Sequence, residues 1–209
     1  MNDPVAFRRR PAERGEEILT AAMKLFAEKG FGPTRIVDIA RRAGVSHGTV
    51  GLYYPTKESL LRACVDRMAV PQFEAAAALI ADESGSPAEQ LEALGQFMSE
   101  HCQSAEMDQL FRVVEGEIGN FPDFAAHFRD RVFEPMMDLF RTVIRRGVAN
   151  GAFVCDDMET YAHLLFGSLV HLFDWNSGFG TALDRRIDQA AYLKAWTRSA
   201  ISGLRTGQG

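Results

Sequence analysis

The chain holds 209 residues, 46% hydrophobic and 24% charged, with a formal net charge of −5, which fits a soluble globular protein long enough to bury a core. It contains no run of about 18 apolar residues and no apolar stretch behind the basic N-terminus MNDPVAFRRR, so neither a membrane span nor a secretory leader is expected. Cys64, Cys102 and Cys155 are far apart and in no metal-ligand spacing, which predicts reduced, mostly buried thiols in a cytoplasmic protein.

The acidic balance is unevenly spread. Residues 1–58 carry ten Lys/Arg against seven Asp/Glu, whereas residues 59–209 carry thirteen against twenty-one. A basic head on an acidic body suits a protein that meets phosphates at one end. Arg8-Arg9-Arg10 reads either as an arm reaching DNA or as a charged tail.

In chain order the periodicity is helical throughout, with no sustained alternation of the strand type. Ile18, Ala22, Leu25 and Phe26 stripe a first helix from Arg14 to Lys29, and Gly30 ends it. Thr34 to Lys57, TRIVDIARRAGVSHGTVGLYYPTK, is the most informative stretch. Ile36, Ile39, Ala40 and Ala43 give a short amphipathic helix, Gly44 is suited to a left-handed helix end, and Ser46 to an N-cap. His47, Gly48 and Thr49 then open a second helix. A helix-turn-helix over about 35–54 follows, whose second helix lies in the DNA major groove. These features imply a DNA-binding regulator.

Thr56 caps the next helix, with Leu60, Leu61, Cys64 and Met68 on its buried side and Pro71 as a candidate kink. Asp82-Glu-Ser-Gly-Ser-Pro87 reads as a linker, followed by a helix lined by Leu91, Leu94, Phe97, Met98 and His101. A shorter helix spans about 108–118, where Glu115 falls on the apolar stripe of Phe111, Val114 and Ile118 and needs a partner if buried. One long helix is expected from Asp123 to about Val148, closed at Asn150-Gly151. The last two helices, Met158–Trp175 and Leu183–Leu204, have broad faces with many small residues. Those faces either close the core or form a subunit interface.

The helix-turn-helix resembles the N-terminal domain of the tetracycline-repressor (TetR) family. Thr34, Ile39-Ala40, Ala43-Gly-Val-Ser46, Gly48-Thr49, Tyr53-Tyr54 and Lys57-Glu-Ser-Leu60 carry the match. Beyond residue 65 the likeness is loose, resting on Glu115 before Asn120-Phe-Pro122 and on Gly147-Val-Ala-Asn-Gly-Ala-Phe153. The resemblance implies an all-α protein of nine to ten helices, with a DNA-binding domain at 1–58 and a helical ligand-binding and dimerisation domain at 59–209. It also implies a homodimer through the last two long helices, a near-palindromic operator in double-stranded DNA, and a small-molecule effector. One departure stands out: Gly51 occupies a position where the family usually has Tyr. Either closer approach to DNA or simple tolerance explains it.

Matched to the family's motif, Thr34, Tyr53 and Lys57 are assigned to phosphates, with Arg35 and Ser46 helping. His47, Thr49 and Leu52 become base readers, and Gly48 lets the helix start approach the groove floor. Twelve of fifteen Phe and six of eight Met follow residue 58, an adaptable interior suited to an apolar or aromatic effector. Candidates to line that site are Phe97, His101, Phe111, Glu115, Phe128, Met136, Phe166 and Trp175. No metal spacing, cofactor loop or catalytic motif is present, so no metal, cofactor or enzymatic activity is expected. The reading is a ligand-responsive regulator, most often a repressor in such a family. The competing reading is a small-molecule binding protein with a vestigial DNA head.

Overall fold

The structure, a computed structural model, describes residues 11–82, 84–101 and 105–205. The arginine run at 8–10 and Cys102 lie outside the described residues. All secondary structure among the described residues is helical, and the chain separates into two compact units.

The first unit takes the chain up to Arg67 together with Gln109–His127. Helices α1 (Pro11–Lys29), α2 (Ile36–Ala43), α3 (His47–Tyr53) and the start of α4 (Lys57–Ala81) enclose Ile18, Leu25, Phe26, Ile39, Val50, Leu60 and Leu61. The unit runs past residue 58 because Leu60, Leu61, Cys64 and Val65 on α4 complete this core. Burial pushes the Cys64 thiol up to about 12, so it stays protonated and behaves as a small hydrophobe. Arg67 reaches back to α1, pairing with Glu16 at 2.9 Å and donating to Thr20 at 2.8 Å. Helix α6 (Ala105–Glu117) and helix α7 (Pro122–Phe128) follow in chain order. Phe121 sets its ring edge-on to Phe31 at 5.6 Å, and His127 Nε2 stands 3.1 Å from Asp66 on α4.

Two expectations need correction here. Glu115 is exposed, not on the buried stripe of α6, because that face is built on Met107, Leu110, Val113 and Val114. The helix expected to run unbroken from 123 to 148 is interrupted by a π-helical turn, Arg129–Phe133, between α7 and α8 (Glu134–Ala149). Pro135 supplies the reason: it has no N–H to give and its ring crowds the carbonyl four residues back, so the turn before it widens. Pro71, by contrast, sits within a continuous α4.

The second unit takes Met68–Asp108 and the chain from Phe128 onward. Helix α5 (Pro87–His101) opens on a reciprocal cap, Ser86 N–H donating to Glu89 Oε2 at 2.8 Å and Glu89 N–H to Ser86 Oγ at 3.2 Å. Helices α9 (Met158–Ser177) and α11 (Gln189–Arg205) pack with α5 and α8 around Leu91, Leu94, Met137, Phe140, Ile144, Leu165 and Trp196, and the short α10 (Phe179–Ala182) follows α9. The last helix starts at Gln189, later than the Leu183 expected. Asp188 caps it, accepting from Ala191 N–H at 3.1 Å. The segment before it is held to α9 by Trp175 Nε1–H donating to Arg185 O at 2.7 Å and by paired bonds between Asn176 and Ile187.

Arg141 ties α8 to α9. Its guanidinium grips both Glu159 oxygens at 2.6 and 2.7 Å and also reaches Asp138 and Glu134. The Arg141 hydrogen bonds hold the Glu159 carboxyl below its ordinary value of 4.5, and two bonds from Thr160 hold Asp157 below its ordinary 3.8. Carboxylates with depressed folded values contribute stability that is complete above their ordinary values and lost as pH falls through the folded ones. The midpoint of thermal unfolding should therefore drop as pH falls below about 4.5, and the Asp157→Asn/Glu159→Gln double variant should show a flatter profile there. Melts from neutral pH into the acid range check this; an equally steep fall in the variant would place the acid sensitivity elsewhere.

Candidate nucleic-acid interface

The turn between α2 and α3 forms as its residues dictate. Gly44 takes the left-handed conformation (φ 67°), and Val45 N–H closes back on Ala40 O at 3.0 Å. Ser46 then caps α3, its Oγ accepting from Thr49 N–H at 3.1 Å. The Thr49 hydroxyl also meets Ser46 Oγ at 2.8 Å, which leaves its methyl as the freer end. Val50 is buried at the centre of α3 and locks it onto the unit. His47, Gly48, Gly51 and Leu52 are exposed, Leu52 at 85%, while Thr49 and Tyr53 are half-buried. A bare leucine on the outward side of a seven-residue helix is an apolar surface awaiting contact. Among the described residues, nothing beyond its chain neighbours and its own helix backbone lies within 4 Å of where a Gly51 Cβ would stand, so internal packing does not demand glycine there.

The residues assigned to phosphates divide into two groups. Arg35 is exposed beside the start of α2, which has no side-chain cap, and Ser46 is exposed at the cap of α3. Thr34 is 1% exposed, and its hydroxyl bonds inward to Gly30 O at 2.7 Å and Leu25 O at 3.2 Å. Lys57 Nζ is also turned inward, donating to the carbonyls of Phe31, Gly32 and Thr34 at 2.9, 3.1 and 3.2 Å. Position in a motif carries no information about which way a side chain points. Of the other basic groups on α2, Arg42 pairs with Glu28 at 2.8 Å and Arg41 with Asp38 at 3.3 Å.

Two short helices crossing at a glycine turn, with the second presenting a polar and apolar outer side, are what a major groove accepts. Known proteins decide the family. Residues 18–64 match the family described as bacterial regulatory proteins, tetR family, and residues 89–199, more than half of the chain, match the AefR-like transcriptional repressor C-terminal domain. The chain belongs to the TetR family of transcriptional regulators.

The tetR-family match falls on the helix-turn-helix of the first unit. The chain is 44% identical over 64 residues to the HTH-type transcriptional repressor Rv3405c of Mycobacterium tuberculosis, an alignment covering 29% of this chain and 34% of that one. Alignments with the curated relatives are short; that with YuxN of Bacillus subtilis spans 17% of its length. A transcriptional regulator from Pseudomonas aeruginosa PAO1 shares the fold at a TM-score of 0.81, with 19% identity and coverage of 99% and 97% of the two chains. FadR of Bacillus subtilis, solved in complex with stearoyl-CoA, shares it at 0.75, with 18% identity and coverage of 91% and 99%. Among the described residues of this TetR-family chain no helix is long and apolar enough to cross a membrane.

The residues expected at an effector site are not all gathered together. Phe97, Met136 and Phe166 join the apolar cluster of the second unit, where Phe166 meets Phe133 at 5.7 Å and Phe140 at 6.3 Å. His101 stacks on Phe97 at 3.8 Å. Phe128 is half-buried at the end of α7, and Phe111 and Glu115 fall in the first unit. Trp175 lines an open hollow of about 510 Å³ with His171, Arg185, Arg186 and Ile187. Sequence reasoning missed Tyr192, whose hydroxyl donates to Ser168 O at 2.7 Å, and Gly95, where a Cβ would stand 2.5 Å from the Trp196 ring. A lone tyrosine on a small-residue helix and a glycine inside α5 were the available signals.

Proposed function

We propose that this TetR-family regulator is a repressor, released from its operator by a small apolar or aromatic effector. The outward face of α3 carries the DNA half of the reading: His47 hydrogen-bonds a base edge, Leu52 and the Thr49 methyl meet thymine methyls, and Gly48 lets the helix start approach closely. Arg35, Tyr53 and Ser46 contact phosphates and set the register. The Phe/Met cluster around Phe97, Met136, Phe140 and Phe166 supports an apolar effector, since such side chains repack around a guest. The family of the C-terminal part, described as repressors, and the stearoyl-CoA bound to the FadR neighbour point the same way.

A second copy of the chain covers the open α9–α11 face. A groove of about 480 Å³ there is lined by Tyr161, Leu164, Tyr192 and Ser199, with Leu164 62% exposed. Two heads related by a twofold axis then read a near-palindrome with half-sites about 34–36 Å apart or a multiple of it.

Fluorescence anisotropy tests this with DNA from upstream of the protein's own gene, scrambled DNA and a salt series. Selective binding that weakens steeply with salt is expected, because phosphate contacts release counterions. Acyl-CoA of graded chain length, added to the complex, should then lower affinity. Absence of binding to any DNA at low salt would overturn the reading in favour of a ligand-binding protein with a vestigial head.

A further inference from the structure

We propose that Lys57 is a positioning residue of the DNA head: an internal pin that sets the start of α2, not a ligand of the DNA backbone. The inference rests on the DNA-binding reading of this head. The Lys57 ammonium has three protons, and three carbonyls of one turn, those of Phe31, Gly32 and Thr34, stand at 2.9–3.2 Å from it. The same nitrogen lies 4.3 Å from the centre of the Phe31 ring, a cation–π contact. That ring is itself wedged between Phe26 at 5.3 Å and Phe121 at 5.6 Å. Thr34 closes the other side of the turn through its inward bonds to Gly30 O and Leu25 O.

The pin acts on the DNA-facing surface through peptide geometry. In a trans peptide the C=O and N–H point in opposite directions. Holding Thr34 O inward on Lys57 therefore turns the Arg35 N–H away from it, at the residue where α2 begins without a side-chain cap. Arg35 O in turn accepts from Asp38 and Ile39 N–H at 3.0 and 3.2 Å, so the first turn of α2 is built on the residue the pin orients. Helix α3 follows α2 through the Gly44 turn, so the tilt of α2 is passed to the recognition helix. For Lys57 to swing onto a phosphate it would abandon three carbonyls, each a charge-assisted partner.

Two variants test the proposal. Lys57→Met keeps a flexible apolar stem but has neither the donors nor the charge that meets the Phe31 ring, and Lys57→Arg keeps both the charge and donors for the carbonyls. Both are compared with wild type on a double-stranded operator selected by the wild-type protein from a random pool, and on scrambled DNA. The temperature is one at which circular dichroism shows each variant folded. For Lys57→Met, operator affinity should fall by about tenfold or more, the loss expected for hydrogen bonds to a charged group. Scrambled-DNA affinity and the slope of log K against log salt should keep wild-type values, a pattern that simple loss of stability does not produce. Lys57→Arg should regain most of the operator affinity. Amide exchange, read without DNA, should quicken at Thr34 and at the first turn of α2 in Lys57→Met. If the Met variant does not fold, Lys57→Gln, with two neutral donors, takes its place in the same comparison.

Equal weakening on both DNAs, with a salt slope shallower by about 0.9, would make Lys57 a phosphate ligand and overturn the proposal. Wild-type behaviour throughout would overturn it too. Failure of the wild-type protein to select any sequence would count against the DNA-binding reading alone, since amide exchange still reads the pin.

Discussion

Leu52→Glu is expected to leave the protein folded and to lower operator affinity by about 100-fold or more, because like charges brought together across an interface cost several kcal/mol. Leu52 is 85% exposed on α3, so a polar replacement removes no core contact and its effect on stability should stay within about 0.5 kcal/mol. The same position lies beside His47, Gly48 and Gly51 on the outward side of the helix, where a carboxylate would face the phosphate-lined groove. Anisotropy titration with a parallel thermal melt separates the two effects. Wild-type affinity in a folded Leu52→Glu protein would mean that α3 does not present this side to DNA.

The second large effect is expected in the other unit. A Cβ on Gly147 would lie 2.0 Å from Phe153 Cδ2 and 2.6 Å from its Cγ, far inside any tolerable contact. Phe153 is 2% exposed, and its backbone N–H donates to Gly147 O at 2.9 Å, so the ring is folded tightly back over the end of α8. Gly147→Ala should therefore displace the ring and destabilise the unit by about 3 kcal/mol, comparable to deleting a buried phenylalanine. In a Phe153→Ala background the clash is gone, and the same substitution should be neutral or stabilising by up to about 1 kcal/mol through helix propensity. Urea unfolding of the four proteins in this cycle measures both numbers. A large cost of Gly147→Ala in both backgrounds would show that the glycine serves something other than Phe153.

These two positions also mark how far the sequence can be read. Gly44 and Ser46 were legible because their jobs are local: a left-handed residue and a hydroxyl cap need only their neighbours in the chain, and both stand as expected. The all-helical class and the TetR resemblance followed from the same kind of short-range signal. Gly147 was visible only as a letter in a loose motif; its reason lies six residues away in a ring whose direction no periodicity predicts. Glu115 was misplaced by one face because two overlapping stripes on α6 fit the apolar pattern, and burial chose the one through Leu110 and Val113. The π-helical turn before Pro135 was overlooked because the apolar pattern reads through it without a break.

The residues around the DNA head divide in the same way. The sequence by itself determined that a helix-turn-helix exists, where it turns and which side chains stand on its second helix, since all of this is encoded within about one or two helical turns. Only the tertiary structure decided that Thr34 and Lys57 face inward while Leu52 and Arg35 face out. Lys57 is separated from the carbonyls it binds by 23 to 26 positions in the chain, and a partner that distant is specified by packing, not by spacing.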